Sequence, residues 1–418
     1  MERVQSAPLS HSTGATMTLC ARDEGAHRCV VASVALYWFS LGRSVKVVIL
    51  AGTRPEVVKL APVRASLISS GVQTVWISTE QQGSLNAQAL GAFDIQPDLR
   101  LDAPSPERTL GGRFAQIMDR LDQAVGDISP DLVLVQGDTS TTAAGAMAAF
   151  ARRVPVGHVE AGLRTFDLDQ PFPEEGWRRV VGQLAELHFA PTEAAVRNLL
   201  RGGVSRRRIH LTGNTGIDAV RLSGARVKPA PLADGLRRVL VTVHRRENWG
   251  CALEQVLAAL IQLRDRIPDI EIVFAAHANP SLRGRVDAAL IGQDRIRIVE
   301  PLDYLGFLSN LKSATLVLSD SGGVQEEGPV LGVPVLVLRD ATERAEAVEA
   351  GVAKLVGTQT DDVFSAAFRL LTNEPERMQM VRAVSPFGDG FAAGRIADII
   401  SHWAPSKPLG GAQIRAAV

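Results

Sequence analysis

The sequence predicts an α/β protein of two domains, each a parallel sheet covered by helices on both faces. Three observations lead to this fold class. From Val45 onward, short β-branched runs alternate with longer helical stretches, the pattern of repeated βαβ units. Runs such as Leu132-Val133-Leu134-Val135 are continuously apolar, as strands buried on both faces must be. A break containing Pro229, Pro231 and Gly235 separates two such series, and a chain of 418 residues is long enough for two cores.

In chain order, the expected strands are Val45 to Leu50, Leu132 to Gln136, Val239 to Val243, Ile270 to Ala275, Leu316 to Ser319 and Val335 to Leu338. The helical stretch Ile217 to Leu222 precedes the break, and the second series begins at Arg238. These features divide the chain into a first Rossmann-like domain over 45–225 and a second over 226–387. A final helical stretch, about Gly394 to Trp403 within a segment 388–403, is expected to pack back on the first domain. Residues 1–44 read as an N-terminal extension, disordered or mis-started, and 404–418 as a tail.

Acidic and basic residues number 45 each, so no global field favours nucleic acid or an anionic membrane, and any anionic ligand must be held locally. Cys20, Cys29 and Cys251 form no CxxC pair and have no zinc-ligand spacing. A reducing, cytoplasmic compartment is expected, with no metal and no cofactor. The apolar run Cys29 to Phe39 is too short to span a bilayer and follows acidic rather than basic residues.

In open α/β sheets, ligands bind beyond the carboxyl ends of strands, and here those positions are polar. After the first strand, Gly52-Thr53-Arg54-Pro55-Glu56 opens a helix carrying Lys59. Either Arg54 and Lys59 meet an anion at the helix start, or the segment is a Thr N-cap followed by proline. Gly137-Asp138-Thr139 follows the next strand, with Asp138 as a mouth residue or a helix cap. His158 and Glu160 lie two apart on an extended segment and should share one face. Glu174 follows in the loop Gln170-Pro171-Phe172-Pro173-Glu174-Glu175. The second series ends its first strand in His244-Arg245-Arg246-Glu247-Asn248, a place for phosphate contact or proton transfer. Asp320-Ser321-Gly322-Gly323-Val324-Gln325-Glu326-Glu327 is the most specific signal. Its glycines let backbone N–H groups approach a diphosphate, and Glu327 can accept from ribose hydroxyls. Arg344 adds a guanidinium. Neither GxGxxG nor a Walker lysine motif is present.

In order, GTRPEVVKLAPV, VQGDTSTT, VGHVEAGLRT, PFPEE, GNTGIDAV, HRREN, PLDYLGF, DSGGVQEEGPVLGVPVLVLRDATER and EAGVAKLVG resemble the non-hydrolysing UDP-N-acetylglucosamine 2-epimerases, from about Val45 to Trp403. The resemblance implies a GT-B-like fold with UDP in the interdomain cleft. It implies elimination of UDP to 2-acetamidoglucal and re-addition with the proton on the opposite face of C2. Asp138, Glu160 and Glu174 match the family's catalytic carboxylates, and His244 joins them. Ser321, Gly322, Gly323, Glu327 and Arg344 would hold UDP, with Arg54 and Lys59 near the diphosphate and Phe307 by the uracil. A homodimer serving cell-envelope polysaccharide synthesis is also implied.

The chain departs from that pattern in places. Thr79-Glu80-Gln81-Gln82-Gly83-Ser84 lacks the His and Arg with which bacterial members bind a second, activating substrate molecule, so hyperbolic kinetics is expected. Gly176-Trp177-Arg178 follows PFPEE where the family has x-Asn-Arg. His277-Ala278-Asn279-Pro280 and Thr342-Glu343-Arg344-Ala345-Glu346 are also altered. Alternatives are the same reaction on a UDP-2,3-diacetamido uronic acid, or a GT-B glycosyltransferase, against which the three carboxylates argue.

Overall fold

A computed structural model describes residues 45–276 and 279–403. The expectations for residues 1–44, for the tail 404–418 and for His277-Ala278 lie outside the described residues.

The continuous apolar runs form strands because helices on both faces bury nearly all of their side chains. The first sheet comprises β1 (Lys46–Ala51), β2 (Gln73–Ser78), β3 (Leu99–Arg100), β4 (Leu132–Gln136), β5 (Val156–Val159), β6 (Leu187–Ala190) and β7 (Ile209–Leu211). The second comprises β8 (Arg237–Thr242), β9 (Ile270–Ala275), β10 (Ile296–Val299), β11 (Ala314–Ser319), β12 (Val335–Val337) and β13 (Ala353–Leu355). All pairings are parallel, in the orders β3-β2-β1-β4-β5-β6-β7 and β10-β9-β8-β11-β12-β13. The pleat splits each run between two cores. Val47, Ile49, Leu132 and Leu134 face one apolar cluster, and Val48, Leu50, Val133 and Val135 face another. In the second sheet, Val239, Val241, Leu316 and Leu318 turn one way and Leu240 and Val317 the other. The sheets are doubly wound, as the sequence predicts.

The strand order reverses between β1 and β4 in one sheet and between β8 and β11 in the other. A crevice opens beyond the carboxyl ends of such neighbours, because their crossover connections leave on opposite faces. Gly52 and Gly137 follow the first pair of strands, and His244 and Asp320 lie just beyond the second.

Between the sheets, residues 227–236 form no regular element. They are fastened to the helix Tyr304–Lys312: the Ala230 N–H donates to the Ser309 carbonyl at 2.9 Å, and Lys312 Nζ donates to the Gly224 and Val227 carbonyls at 2.7 and 2.9 Å. Below the crevice, Val58, Ala219 and Val220 meet Tyr304 and Leu308 in an apolar cluster joining the two halves.

The last helix, Ala392–Ser401, returns to the first sheet, where Ala393, Ile396, Ala397 and Ile400 join Val47, Leu60 and Leu67. Its first turn is satisfied from another helix, Thr215–Arg226. Buried Asp218 accepts the Ala392 and Ala393 N–H groups at 3.2 and 2.9 Å. Asp218→Ala leaves two buried helix donors without an acceptor and is expected to cost about 1–2 kcal/mol, read as a lower midpoint in urea unfolding.

Candidate active site

The loop after β1 is built around a capping box. Thr53 is the N-cap of the helix Arg54–Ser69, proline occupies its first turn and Glu56 is the third helical residue. The plainer reading of this segment is therefore correct locally. Glu56 does more than cap, however. One carboxylate oxygen accepts the Gly52 and Thr53 N–H groups at 2.8 Å each; the other accepts the Thr139 and Thr142 hydroxyls at 2.5 and 3.1 Å. Fully buried, it ties the loop after β1 to the loop after β4 and so sets where Asp138 sits. Burial pushes its carboxyl up, against those hydrogen bonds. Sequence reasoning passed over Glu56, although Thr53-x-x-Glu56 is its signature.

Glu160 and His158 do not share a face. The strand β5 ends at Val159, and Glu160 has φ +63°, a left-handed conformation uncommon for a residue with a Cβ. That turn swings Glu160 out of the pleat towards Lys59 and Gln136. Lys59 Nζ lies 2.5 Å from Glu160 Oε1, and Gln136 Nε2 donates to Oε2. His158 stays buried beneath the Gly137 carbonyl, with Nε2 at 2.8 Å. Burial holds its pKa down to about 4, so it is a neutral buried group at neutral pH.

The buried charges continue across to the second sheet. Lys59 also pairs with Glu326 at 3.1 Å, and Glu326 receives Arg344 Nε at 2.8 Å. Arg344 lies 3.6 Å from Glu160 and 2.6 Å from Glu343. Glu343 passes the network to Arg245 at 2.9 Å, and the Arg245 side chain reaches the Asp320 carbonyl at 3.2 Å. Burial, reinforced by Glu326, raises the Glu160 carboxyl despite Lys59 and Arg344. Burial also works against the charge on Glu326, but Lys59 and Arg344 hold it below the usual range.

Asp138, just beyond β4, forms a pair of its own. Arg178 Nε and Nη2 both reach its Oδ2 at 2.7 Å. Arg178 comes from the helix Glu174–Leu184, whose first residue is Glu174. Burial raises the Glu174 carboxyl, and it feels Asp138, Arg178 and Arg245. The altered Gly176-Trp177 pair does not disturb this arrangement: Trp177 turns away to stack on Phe114, with ring centroids 4.8 Å apart.

On the second sheet, the Asp320 carboxylate organises the loop after β8. It accepts the His244 and Arg245 N–H groups at 3.0 and 2.9 Å and the Asn248 amide at 2.8 Å. The His244 ring contacts the Thr242 hydroxyl. Ser321 is the N-cap of the helix Gly322–Val330, whose first turn holds Gly322 and Gly323. A Cβ at Gly322 would come within 2.6 Å of the Arg344 guanidinium, so only glycine permits this approach. Arg54 reaches across to the Leu302 carbonyl at 3.2 Å.

The structure thus joins Lys59, Glu160 and Arg344 directly and pairs Asp138 with Arg178, whose helix Glu174 begins. His244, Ser321, Gly322 and Gly323 line the facing strand ends. Phe307 lies on the helix Tyr304–Lys312, packed against the second-sheet core. Glu56, Arg178, Asp320, Glu326 and Glu343 are the organising residues that motif reading left out. Among the described residues, no group of three or more His, Cys, Asp or Glu could hold a metal ion, and no helix is long and apolar enough to cross a membrane.

Burial and the Glu326 charge push Glu327 up to about 8, against Lys59 and Arg54. Its stabilising contribution is complete below the unfolded value near 4.5 and is lost as pH rises through about 8. Glu327→Gln, which cannot ionise, should therefore gain in melting temperature over the parent between pH 6 and 9 and match it near pH 4.5, as read by calorimetry.

The family model described as UDP-N-acetylglucosamine 2-epimerase matches residues 67–401. UDP-N-acetylglucosamine 2-epimerase of Yersinia pestis is 43% identical over 364 residues, covering 84% of this chain and 97% of that protein. Among solved structures, UDP-GlcNAc 2-epimerase from Neisseria meningitidis bound to UDP-GlcNAc is 37% identical with a TM-score of 0.81, over 85% of this chain and 99% of that one. The S. aureus MnaA–UDP co-structure is 40% identical with a TM-score of 0.80, over 86% and 96%. With its two parallel sheets and the charged crevice between them, this chain belongs to the UDP-N-acetylglucosamine 2-epimerase family.

Proposed function

We propose that this protein reversibly inverts C2 of UDP-N-acetylglucosamine to give UDP-N-acetylmannosamine, by elimination and re-addition of UDP. The observation that carries the reading is that Glu160 of the first sheet meets Arg344 of the second, which lies against the glycine-opened helix start, while Lys59 pairs with the same carboxylate. In the forward direction a carboxylate takes the C2 proton, the C1–O bond to UDP breaks, and 2-acetamidoglucal forms with a C1–C2 double bond. A second group then returns a proton to the opposite face of C2 as a phosphate oxygen of UDP re-forms the bond to C1.

Asp138, Glu160 and Glu174 are the proposed proton-transfer groups. Two-sided transfer needs a group that takes a proton and a group that gives one, and burial raises the Glu160 and Glu174 carboxyls toward the proton-holding form. The Ser321-Gly322-Gly323 turn and Arg344 would hold the diphosphate, with Arg54, Lys59 and His244 beside it. These fixed donors and cations would stabilise the charge of departing UDP without reorganising. Lys59 would contribute as part of its ion cluster rather than as a free cation. Glu327 would take the ribose and Phe307 the uracil. We place the enzyme in the cytoplasm as a homodimer; the exposed free thiol of Cys251 fits a reducing compartment.

The segment that replaces the family's activator-binding residues is occupied internally. Gln81 accepts from the Thr141 N–H and hydroxyl at 3.2 and 2.9 Å, and Gln82 accepts the Arg54 N–H at 2.9 Å. Velocity against substrate is therefore expected to be hyperbolic; a sigmoidal curve would contradict this.

Incubation with UDP-N-acetylglucosamine in deuterated water, followed by proton NMR, should yield UDP-N-acetylmannosamine with deuterium at C2. An unchanged spectrum would sink the reading for this sugar and favour the diacetamido uronic acid. Asp138→Asn and Glu160→Gln should each cut turnover by about 100-fold or more while UDP still binds by calorimetry. Near-normal turnover in either would remove these roles.

A further inference from the structure

Glu326 stands where four buried charges from both sheets meet, and motif reading assigned the neighbouring Glu327 instead. Only 1% exposed, its two oxygens are divided between cations from different sheets: Oε1 accepts Arg344 Nε at 2.8 Å, and Oε2 lies 3.1 Å from Lys59 Nζ. Those same cations flank Glu160 Oε1, Lys59 at 2.5 Å and Arg344 at 3.6 Å. The result is a closed ring, Lys59–Glu160–Arg344–Glu326, in which two carboxylates share two cations. A neighbouring glycine borders it. A Cβ on Gly216 would touch Glu326 Oε2 and Lys59 Cε at 3.5 Å, an ordinary contact, and crowd the Asn214 side chain at 3.0 Å.

The charged groups facing Glu160 are Lys59 from the helix Arg54–Ser69, Glu326 from the helix Gly322–Val330, and Arg344 from the turn before the helix Ala345–Glu349. Gln136, at the end of β4, is a neutral donor. Glu343 holds the far side of Arg344.

We propose that Glu326 is a positioning residue: by holding Arg344 at 2.8 Å it keeps that guanidinium 3.6 Å from Glu160, and so leaves Glu160 with one close cation, Lys59, rather than two. The chemistry at C2 rests on the proposed function; the ring does not. With Glu326 charged, its field opposes ionisation of Glu160, and it holds at a distance the Arg344 guanidinium that would favour it. With a neutral side chain in its place, both effects disappear and Glu160 ionises more readily.

The test is Glu326→Gln in the full-length chain. Carbon-13 labelled glutamate carboxyls are titrated by NMR, and Glu160→Gln identifies the Glu160 resonance. The Glu160 midpoint should fall by about one pH unit, and whichever limb of the pH–rate profile Glu160 sets should move down with it. A Glu160 midpoint unchanged in the variant would overturn the proposal, as would a uniform loss of kcat with no displacement of either limb. If Glu326→Gln does not fold, Glu326→Asp keeps the charge but shortens the reach. The Glu160 midpoint should then fall by a smaller amount, and an unchanged one again refutes the idea. The titration needs no turnover, so an inactive parent would count against the proposed function alone.

Discussion

The structure depends on a ring of charges that neither half can complete by itself. Lys59 and Glu160 belong to the first sheet, Glu326 and Arg344 to the second, and all four are nearly excluded from solvent. Removing such groups from water costs several kcal/mol for each ion, and pairing only roughly restores it. The ring is therefore a poor source of net stability and a strong source of alignment. Any displacement of one half that breaks a pair leaves a buried charge without compensation. Apolar contact beneath the crevice, through Val58, Ala219, Val220, Tyr304 and Leu308, holds the halves together, and the ring fixes their register.

Because the ring closes only in one register, the groups attached to it inherit that register. Arg344 leads through Glu343 to Arg245, and Asp320 fixes the His244 and Arg245 backbone. Glu56 performs the corresponding task on the other side, joining the loops after β1 and β4 through four hydrogen bonds. Both switch points are thus stiffened by a buried acid that a ligand need not touch. Such support is what holds reacting groups within the small tolerance that catalysis allows.

Much of this was legible in the sequence. The continuous apolar runs forced parallel sheets covered on both faces, and polar loops at strand ends marked the crevice. What stayed hidden depends on distance along the chain. Glu326 meets Lys59 and Arg344 meets Glu160 only because two sheets face each other, and no local pattern encodes that meeting. The pairing of Arg178 with Asp138 is of the same kind. His158 misled for a different reason. Period-two alternation holds only while the chain stays extended, and the left-handed turn at Glu160 ended it one residue early.

The loop Thr79–Ser84 illustrates how a departure in sequence becomes a physical difference. Glu80 accepts from the Ser78 hydroxyl and from Arg100, each at 2.8 Å, and the Thr79 hydroxyl meets that of Thr141 at 2.6 Å. Gln81 and Gln82 engage Thr141 and the Arg54 N–H. These side chains bind the loop to the helix starts that follow β1 and β4. A loop already ordered by its own protein gains little from a second ligand, because the conformational entropy that a ligand would have to remove is gone before it arrives. A loop left open, with side chains free to pair, would gain from such a ligand and become sensitive to its concentration. In this chain Gln81 holds the segment to Thr141, and the proposed hyperbolic kinetics places it in the first class.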